Sequence, residues 1–295
     1  MTARIISGSE VAATIRQELK QRVSRLQRHG KIPCFGVLLV GDNPASISYV
    51  TSKERGAREI GMRESTIRMP ANTTELKIIR TVEELNTNPD IDGILIQLPL
   101  PAHINAETVL NLISPEKDVD GSHPTNLGKI LRGEPCPLPC TPHGVQQLLV
   151  RSGYDPGGKH VVICGRSSLV GKPLAAMLMQ KEKGANATVT VVHTGTKYMA
   201  YFTRQADILV AAMGSPMYIT AEMVREGAVV IDVGVNRVED KTKERGYRLV
   251  GDVDFEAVKE KALAITPVPG GVGPMTVTML LQNTIEVAER KLGIR

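Results

Sequence analysis

The sequence predicts an α/β fold in two lobes, with a cleft between them. Apolar runs of strand length alternate with stretches of helical periodicity, the pattern of a parallel sheet covered on both faces. A Gly/Pro-rich passage from Gly133 to Pro142 interrupts this alternation, which then begins again. The length, 295 residues, exceeds the roughly 250 at which a single core stops growing, so two domains are expected.

The elements follow in order. Ser7 and Glu10 form a capping box, and Val11, Ile15, Leu19 and Val23 recur at four-residue spacing, which makes the first element an amphipathic helix. Phe35 to Val40 reads as a buried strand. Asn43 caps and Pro44 opens a helix that runs to Ile60, where Gly61 stops it. Thr73 to Leu85 reads as a helix and Ile91 to Gln97 as a second buried strand.

Beyond the Gly/Pro passage, Thr141 is the expected cap and Pro142 the first-turn proline of a helix ending at Arg151. A strand at His160 to Cys164, a glycine-containing loop, a helix from Gly171 to Lys181 and a strand at Ala187 to Val192 follow. Further strands are read at Asp207 to Ala212 and Ala228 to Val233, and the last element is a helix from Pro274 to Lys291. This second half is a Rossmann-type βαβ series. The expected domains are 1–140, completed by the helix in 274–295, and 141–273.

Composition removes several function classes. The 36 basic and 31 acidic residues give a net charge of +5 without long blocks of one sign. Nucleic-acid binding needs a concentrated basic stripe with interleaved aromatics, and none is visible. The amino terminus lacks an apolar targeting core and no apolar run has membrane-spanning length. The thiols Cys34, Cys136, Cys140 and Cys164 are dispersed and complete no zinc set. No metal and no membrane are expected, and reduced thiols fit a cytoplasmic protein.

Several stretches carry chemistry. GRSSLVGKP, Gly165 to Pro173, leaves a strand and enters a helix, the setting in which backbone N–H groups receive a pyrophosphate. An NAD site usually has a carboxylate at the end of the next strand for the ribose hydroxyls. Here that strand ends in His193 and Thr194. Nothing there repels a 2′-phosphate and Arg166 is able to pair with one, so NADP is favoured over NAD.

In SISYVTSK, Tyr49 and Lys53 lie four apart on one helix face. A tyrosine and lysine at this spacing suggest a short-chain dehydrogenase. In that family, however, the glycine loop precedes the tyrosine, and here it follows far downstream. IQLPLP places Gln97 at the carboxyl end of a buried strand, PEKDVDG offers Asp118 and Asp120 in a turn, and TPVPGGVGPMT is a glycine loop before a helix. Singly, each is ordinary turn chemistry.

Together and in this order, YVTSK, QLPLP, PEKDVDG, PCTPHG, GRSSLVGKP and TPVPGGVGPMT closely resemble the bifunctional methylenetetrahydrofolate dehydrogenase/methenyltetrahydrofolate cyclohydrolase family. The resemblance implies a cytoplasmic, homodimeric, NADP-dependent enzyme acting on tetrahydrofolate one-carbon derivatives, with a folate-binding first domain. It assigns Lys53 as the key catalytic residue, Tyr49 as the surface on which the folate packs, Gln97 as the lysine's assistant and Asp120 as the holder of the pterin. It further implies substrate contacts from Ile96, Leu98, Pro269, Gly270, Gly271, Val272 and Gly273, and cofactor contacts from Gly165, Arg166, Ser167, Thr194 and Val235. A shikimate-dehydrogenase-like enzyme shares the two-lobed plan but is expected to lack the KDVDG and PGGVGP stretches.

Overall fold

The computed structural model describes residues 2–243 and 246–294. Contacts divide the chain into two compact units. One comprises Thr14–Cys140 with the chain from Val277 onward; the other comprises the chain up to Ala13 with Thr141–Thr276. The chain opens with a short strand, β1 (Arg4–Ile5), and the helix α1 (Gly8–Arg28). Ser7 caps α1 by accepting from the Glu10 backbone N–H at 3.3 Å, and Ile15, Leu19 and Val23 are buried. The sequence reading placed residues 1–13 with the first lobe. They group instead with the second, because β1 pairs with a strand of that unit and Ala3 lies in its core.

The first unit is built on a parallel three-stranded sheet. In chain order it holds β2 (Cys34–Val40), α2 (Pro44–Ile60), β3 (Arg63–Met69), α3 (Glu75–Thr87), β4 (Gly93–Ile96), α4 (Ala106–Asn111) and α5 (Pro124–Arg132). The strand order is β3-β2-β4, with the wholly buried β2 in the centre. Helix α2 begins and ends where its signals say. The Asn43 side chain accepts from the Ala45 and Ser46 N–H groups, Pro44 needs no donor, and Gly61 closes the helix at φ 82°. Leu38, Ile78, Val82, Ile94 and Ile96 form much of the core, each such side chain stabilising by about 1.5–3 kcal/mol on burial.

The second unit holds α6 (Cys140–Arg151), β5 (His160–Cys164), α7 (Gly171–Leu178), β6 (Thr188–Val192), α8 (Met199–Thr203), β7 (Ile208–Ala211), β8 (Val229–Asp232), β9 (Asn236–Glu239), β10 (Tyr247–Val250), α9 (Phe255–Val258) and β11 (Ala264–Ile265). Its six-stranded sheet is parallel throughout, in the order β1-β11-β8-β7-β5-β6, and β9 and β10 form a separate antiparallel pair. The last helix, α10, spans Val272–Lys291.

Three expectations shift. Helix α6 starts at Cys140, so Thr141 sits inside it rather than capping it, and its Oγ1 lies 3.0 Å from Thr276 Oγ1. Helix α7 ends at Leu178, short of Lys181. Helix α10 starts at Val272, so Val272 and Gly273 are first-turn residues rather than loop.

Asp92, wholly buried, pins the first unit together. It accepts from the Cys34 N–H at 3.0 Å, and its other oxygen meets Lys31 Nζ at 2.9 Å and Lys291 Nζ of α10 at 3.0 Å. Removing one partner of such a group leaves the others unmatched. Asp92→Ala is therefore expected to cost about 3–5 kcal/mol, read as a lower urea midpoint for the first unit's unfolding, and Asp92→Asn, which retains an acceptor, to cost less.

Candidate active site

The chemistry of the first unit gathers where α2 faces the carboxyl end of β4. Lys53, on the third turn of α2, donates from Nζ to Gln97 Oε1 at 3.0 Å. Gln97 follows β4 directly, and its backbone N–H donates to Leu38 O at 2.9 Å. Its Nε2 donates to Leu98 O at 2.7 Å. With the amide nitrogen occupied, Gln97 is oriented so that its oxygen meets the lysine. Ser46, one turn before Tyr49, donates to the same Leu98 O at 3.4 Å. Tyr49 itself is exposed, at 55%.

Burial draws the Lys53 ammonium below its ordinary value, while Asp120 and then Cys140 act in the opposite direction and lose. Asp120 is pushed up by burial, against the pull of the Lys53 charge. Both shifts have one cause: two opposite charges share a pocket too poor in water to hold either comfortably. Asp120 as a residue retains some exposure, so the desolvation acts on its carboxyl group rather than on the whole side chain.

The turn carrying Asp120 is fixed from several sides. Asp118 accepts from the Gly121 N–H at 3.1 Å, the His123 N–H at 2.7 Å and Asn126 Nδ2 at 3.0 Å. It is the cap of this turn, and a parallel bridge to Ile94 places it beside β4. Gly121 has φ 72°, and a Cβ there would sit 2.3–2.4 Å from the Leu138–Pro139 backbone, so no other residue fits. Cys140 donates from Sγ to Val119 O at 3.2 Å, and Asn283 Nδ2 of α10 donates to Val119 O and Leu138 O, each at 2.8 Å. Burial pushes the Cys140 thiol well up, so it stays neutral beside Asp120.

The second unit offers a cradle between β5 and α7. Gly165 adopts φ 136°, and a Cβ on it would lie 2.1 Å from Ala212 O. A Cβ on Gly171 would lie 2.1 Å from Gly165 O. The turn is thus as tight as a backbone allows, and Arg166, Ser167, Ser168 and Leu169 stand exposed on it. Ser167 Oγ accepts from the Val170 N–H at 3.1 Å, and no side chain caps α7. The Lys172 N–H donates to Ser167 O at 3.1 Å and Pro173 has no N–H, so the cradle rests on the tight glycine turn itself rather than on a row of free helix N–H groups.

Arg166 Nη1 lies 3.3 Å from His193 Nε2, with Thr194 exposed beside it. Residues 193–198, after β6, contain no carboxylate. Val235, exposed at 54%, lies in the loop after β8, and Pro269–Gly271 lead into α10, whose first turn holds Val272 and Gly273. The expected site residues thus fall into two groups: Tyr49, Lys53, Ile96, Gln97, Leu98 and Asp120 in the first unit, the rest in the second. Among the described residues no cluster of three His, Cys, Asp or Glu could hold a metal, and no helix is long and apolar enough to cross a membrane.

Comparison with known families decides the assignment. Residues 6–120 match the model of the tetrahydrofolate dehydrogenase/cyclohydrolase catalytic domain, and residues 139–292 match that of the tetrahydrofolate dehydrogenase/cyclohydrolase NAD(P)-binding domain. The chain belongs to the tetrahydrofolate dehydrogenase/cyclohydrolase family. It is 56% identical over 295 residues to the bifunctional protein FolD of Dehalococcoides mccartyi (strain CBDB1), covering 100% of this chain and 99% of that one. The crystal structure of the bifunctional FolD of Campylobacter jejuni superposes with a TM-score of 0.92 at 43% identity, covering 98% and 99% of the two chains. The Trypanosoma brucei dehydrogenase-cyclohydrolase, solved with NADP cofactor and inhibitor, gives 0.92 at 41% identity, with 99% of both chains covered.

In this tetrahydrofolate dehydrogenase/cyclohydrolase, Tyr49, Lys53, Gln97 and Asp120 all lie within the stretch matching the catalytic-domain model, whereas Cys140 and Asn283 lie outside it. Cys140 stood in the PCTPHG stretch with no role read for it, and Asn283 was invisible to sequence reasoning. Asn283 meets Val119 across 164 positions of chain, and no local pattern announces such a contact. Because Asp120 raises the Lys53 pKa, Asp120→Asn is expected to lower it further. Carbon-13 NMR titration of reductively methylated lysines, with Lys53 assigned by mutation, checks this; a rise on substitution contradicts the geometry described.

Proposed function

We infer that this member of the family is its bifunctional enzyme: it oxidises 5,10-methylenetetrahydrofolate to 5,10-methenyltetrahydrofolate with NADP+, then hydrolyses that product to 10-formyltetrahydrofolate. The observation that carries the reading is a lysine of lowered pKa, hydrogen-bonded to a neutral glutamine beside an aspartate whose carboxyl is desolvated. Tyr49, Lys53, Gln97 and Asp120 form the catalytic set. The folate-binding domain corresponds to the first unit and the NADP-binding domain to the second.

The first step needs position more than protein chemistry. Nitrogen lone pairs flanking the methylene carbon drive out a hydride and leave a stabilised methenyl cation. NADP+, when bound, supplies the hydride acceptor. The cradle at Gly165, Arg166 and Ser167 fits its pyrophosphate, and Arg166 with Thr194, free of a competing carboxylate, fits the 2′-phosphate. Val235 supplies an apolar contact. In the first unit, Ile96 and Leu98 add further substrate contacts. Tyr49 gives the pterin a flat apolar surface, and the Asp120 carboxylate matches its adjacent amino and ring N–H donors.

Hydrolysis asks for a base, because water must lose a proton as it attacks the methenyl carbon. A lysine of lowered pKa supplies neutral amine for this purpose. Gln97 Oε1 takes one of its N–H groups and leaves the nitrogen lone pair for the water. An acidic residue in place of Gln97 would hold the lysine charged. The ammonium formed then returns that proton to the departing N5 as its bond to carbon breaks, while the carbinol O–H gives up the second proton of the water to solvent as the formyl C=O forms, the one proton the hydrolysis releases overall. The enzyme acts as a homodimer in the cytoplasm, a reading that rests on the family resemblance.

Incubation with methylenetetrahydrofolate and NADP+ or NAD+, following cofactor reduction and then decay of the methenyl product, tests the assignment; no turnover with either cofactor removes it. Lys53→Met is expected to lower cyclohydrolase rate by about a hundredfold or more, to reduce the dehydrogenase less, and to abolish the rising limb of the pH–rate profile. Asp120→Asn is expected to raise the KM for folate more than that for NADP+, as measured by steady-state kinetics. Equal rises in both constants would mark a folding defect and count against the pterin contact.

A further inference from the structure

The second unit contains a fully buried carboxylate that the chemistry above does not use. Asp252 lies just beyond β10, and its side chain reaches the turn after β7 and the first residue of β9, where the loop from β8 ends. Oδ2 accepts from the Met213 N–H at 2.6 Å and the Gly214 N–H at 2.9 Å; Oδ1 accepts from the Ser215 N–H at 2.9 Å and Asn236 Nδ2 at 2.8 Å. Three consecutive N–H groups converging on one point form a nest, a geometry that binds anions. Here the chain's own carboxylate occupies it.

The location gives this filling a purpose. From β6 on one flank of β5, the chain passes to β7 on the other. The crevice at such a switch point is where open parallel sheets bind ligands. The Met213–Ser215 turn leaves β7 at that crevice, and the Ala212 carbonyl before it is the group that packs against Gly165 of the cradle. Asn236 opens β9, directly after the exposed Val235 of the loop that follows β8. Asp252 is itself held in place: its N–H donates to Asp232 Oδ1 at 3.0 Å, an oxygen that also takes the Gly234 N–H at 2.9 Å, while Asp232 Oδ2 takes the Val253 N–H at 2.9 Å. The loop is so close that a Cβ on Gly234 would lie 2.3 Å from Asp252.

We propose that Asp252 is a positioning residue for dinucleotide binding: by filling the Met213–Ser215 nest and clasping Asn236, it presets the two turns beside the cradle that seat NADP+. The inference rests on the cofactor placement proposed above. It also says where the phosphates do not go, since the nest is already satisfied from within.

Four full-length proteins test it: wild type, Asp252→Asn, Asn236→Ala and Arg166→Ala. NADP+ affinity is read by fluorescence titration, and both activities are measured. Asp252→Asn puts a donor among donors and is expected to raise the NADP+ Kd and KM about tenfold, with Asn236→Ala raising them about threefold. The dehydrogenase kcat at saturating NADP+, the folate KM and the cyclohydrolase rate, which needs no dinucleotide, are expected to stay within twofold of wild type. Folded Asp252→Asn with wild-type NADP+ affinity overturns the proposal, as does an equal loss of both activities with no change in Kd. Should Asp252→Asn not fold, Asn236→Ala decides alone, and unchanged affinity in it overturns the proposal. Weakened binding in Arg166→Ala beside wild-type binding in the other two refutes the role of Asp252 only. Wild-type binding in Arg166→Ala beside weakened binding in Asp252→Asn refutes the cradle assignment and keeps that role.

Discussion

Taking charge out of water is the constraint around which both units are arranged. Burial of an ion is tolerated only where donors or opposite charges replace the lost water. Asp92, Asp118 and Asp252 meet that demand with backbone N–H groups, amides or lysines. They act as fasteners: Asp92 and Asp252 join segments distant in the chain, and Asp118 locks its own turn. Lys53 and Asp120 meet it differently, with one amide, one thiol and each other. Their protonation states are consequently less settled, and that is what suits them to moving a proton or holding a pterin. The same physics yields structural acids where donors saturate the carboxylate and chemical groups where they do not.

This distinction bears on the neighbouring cysteine. Cys140 is pushed toward its neutral form by burial and by Asp120, and its thiol donates to Val119 O. A neutral thiol adds little charge to the pocket. The lysine therefore responds mainly to burial and to one carboxylate, which leaves its basicity open to small changes in either.

Local patterns were legible where local chemistry decides structure. Asn43, Pro44 and Gly61 delimit α2, and with it the shared face of Tyr49 and Lys53. The apolar run ending at Gln97 marks β4, and the end of a buried strand is where a polar residue attracts attention. The strand β3 was missed because RESTIRM has no apolar run; it is a sheet edge, held by its backbone ladder to β2 over seven residue pairs from Cys34↔Arg63 to Val40↔Met69. The β9–β10 pair was missed for a similar reason, being short and half-exposed. Thr141 carries every local mark of a cap, yet its hydroxyl is paired with Thr276, and the helix starts before it. The clasps made by Asn283 and Asp252 join residues whose pairing exists only in three dimensions.

The bond between Lys291 and Asp92 has a consequence for how the chain is made. The first unit's sheet and most of its helices lie before residue 141, but α10 comes after every strand of the second unit. On the ribosome, Asp92 is synthesised long before Lys291 emerges, and the second unit's sheet in turn draws on β1 from the start of the chain. Neither unit is continuous, so a vectorial sequence in which one domain is finished before the next begins is closed to this protein. Its early intermediates carry half-matched acids and exposed edges, and the late arrival of one helix completes the earliest-made sheet.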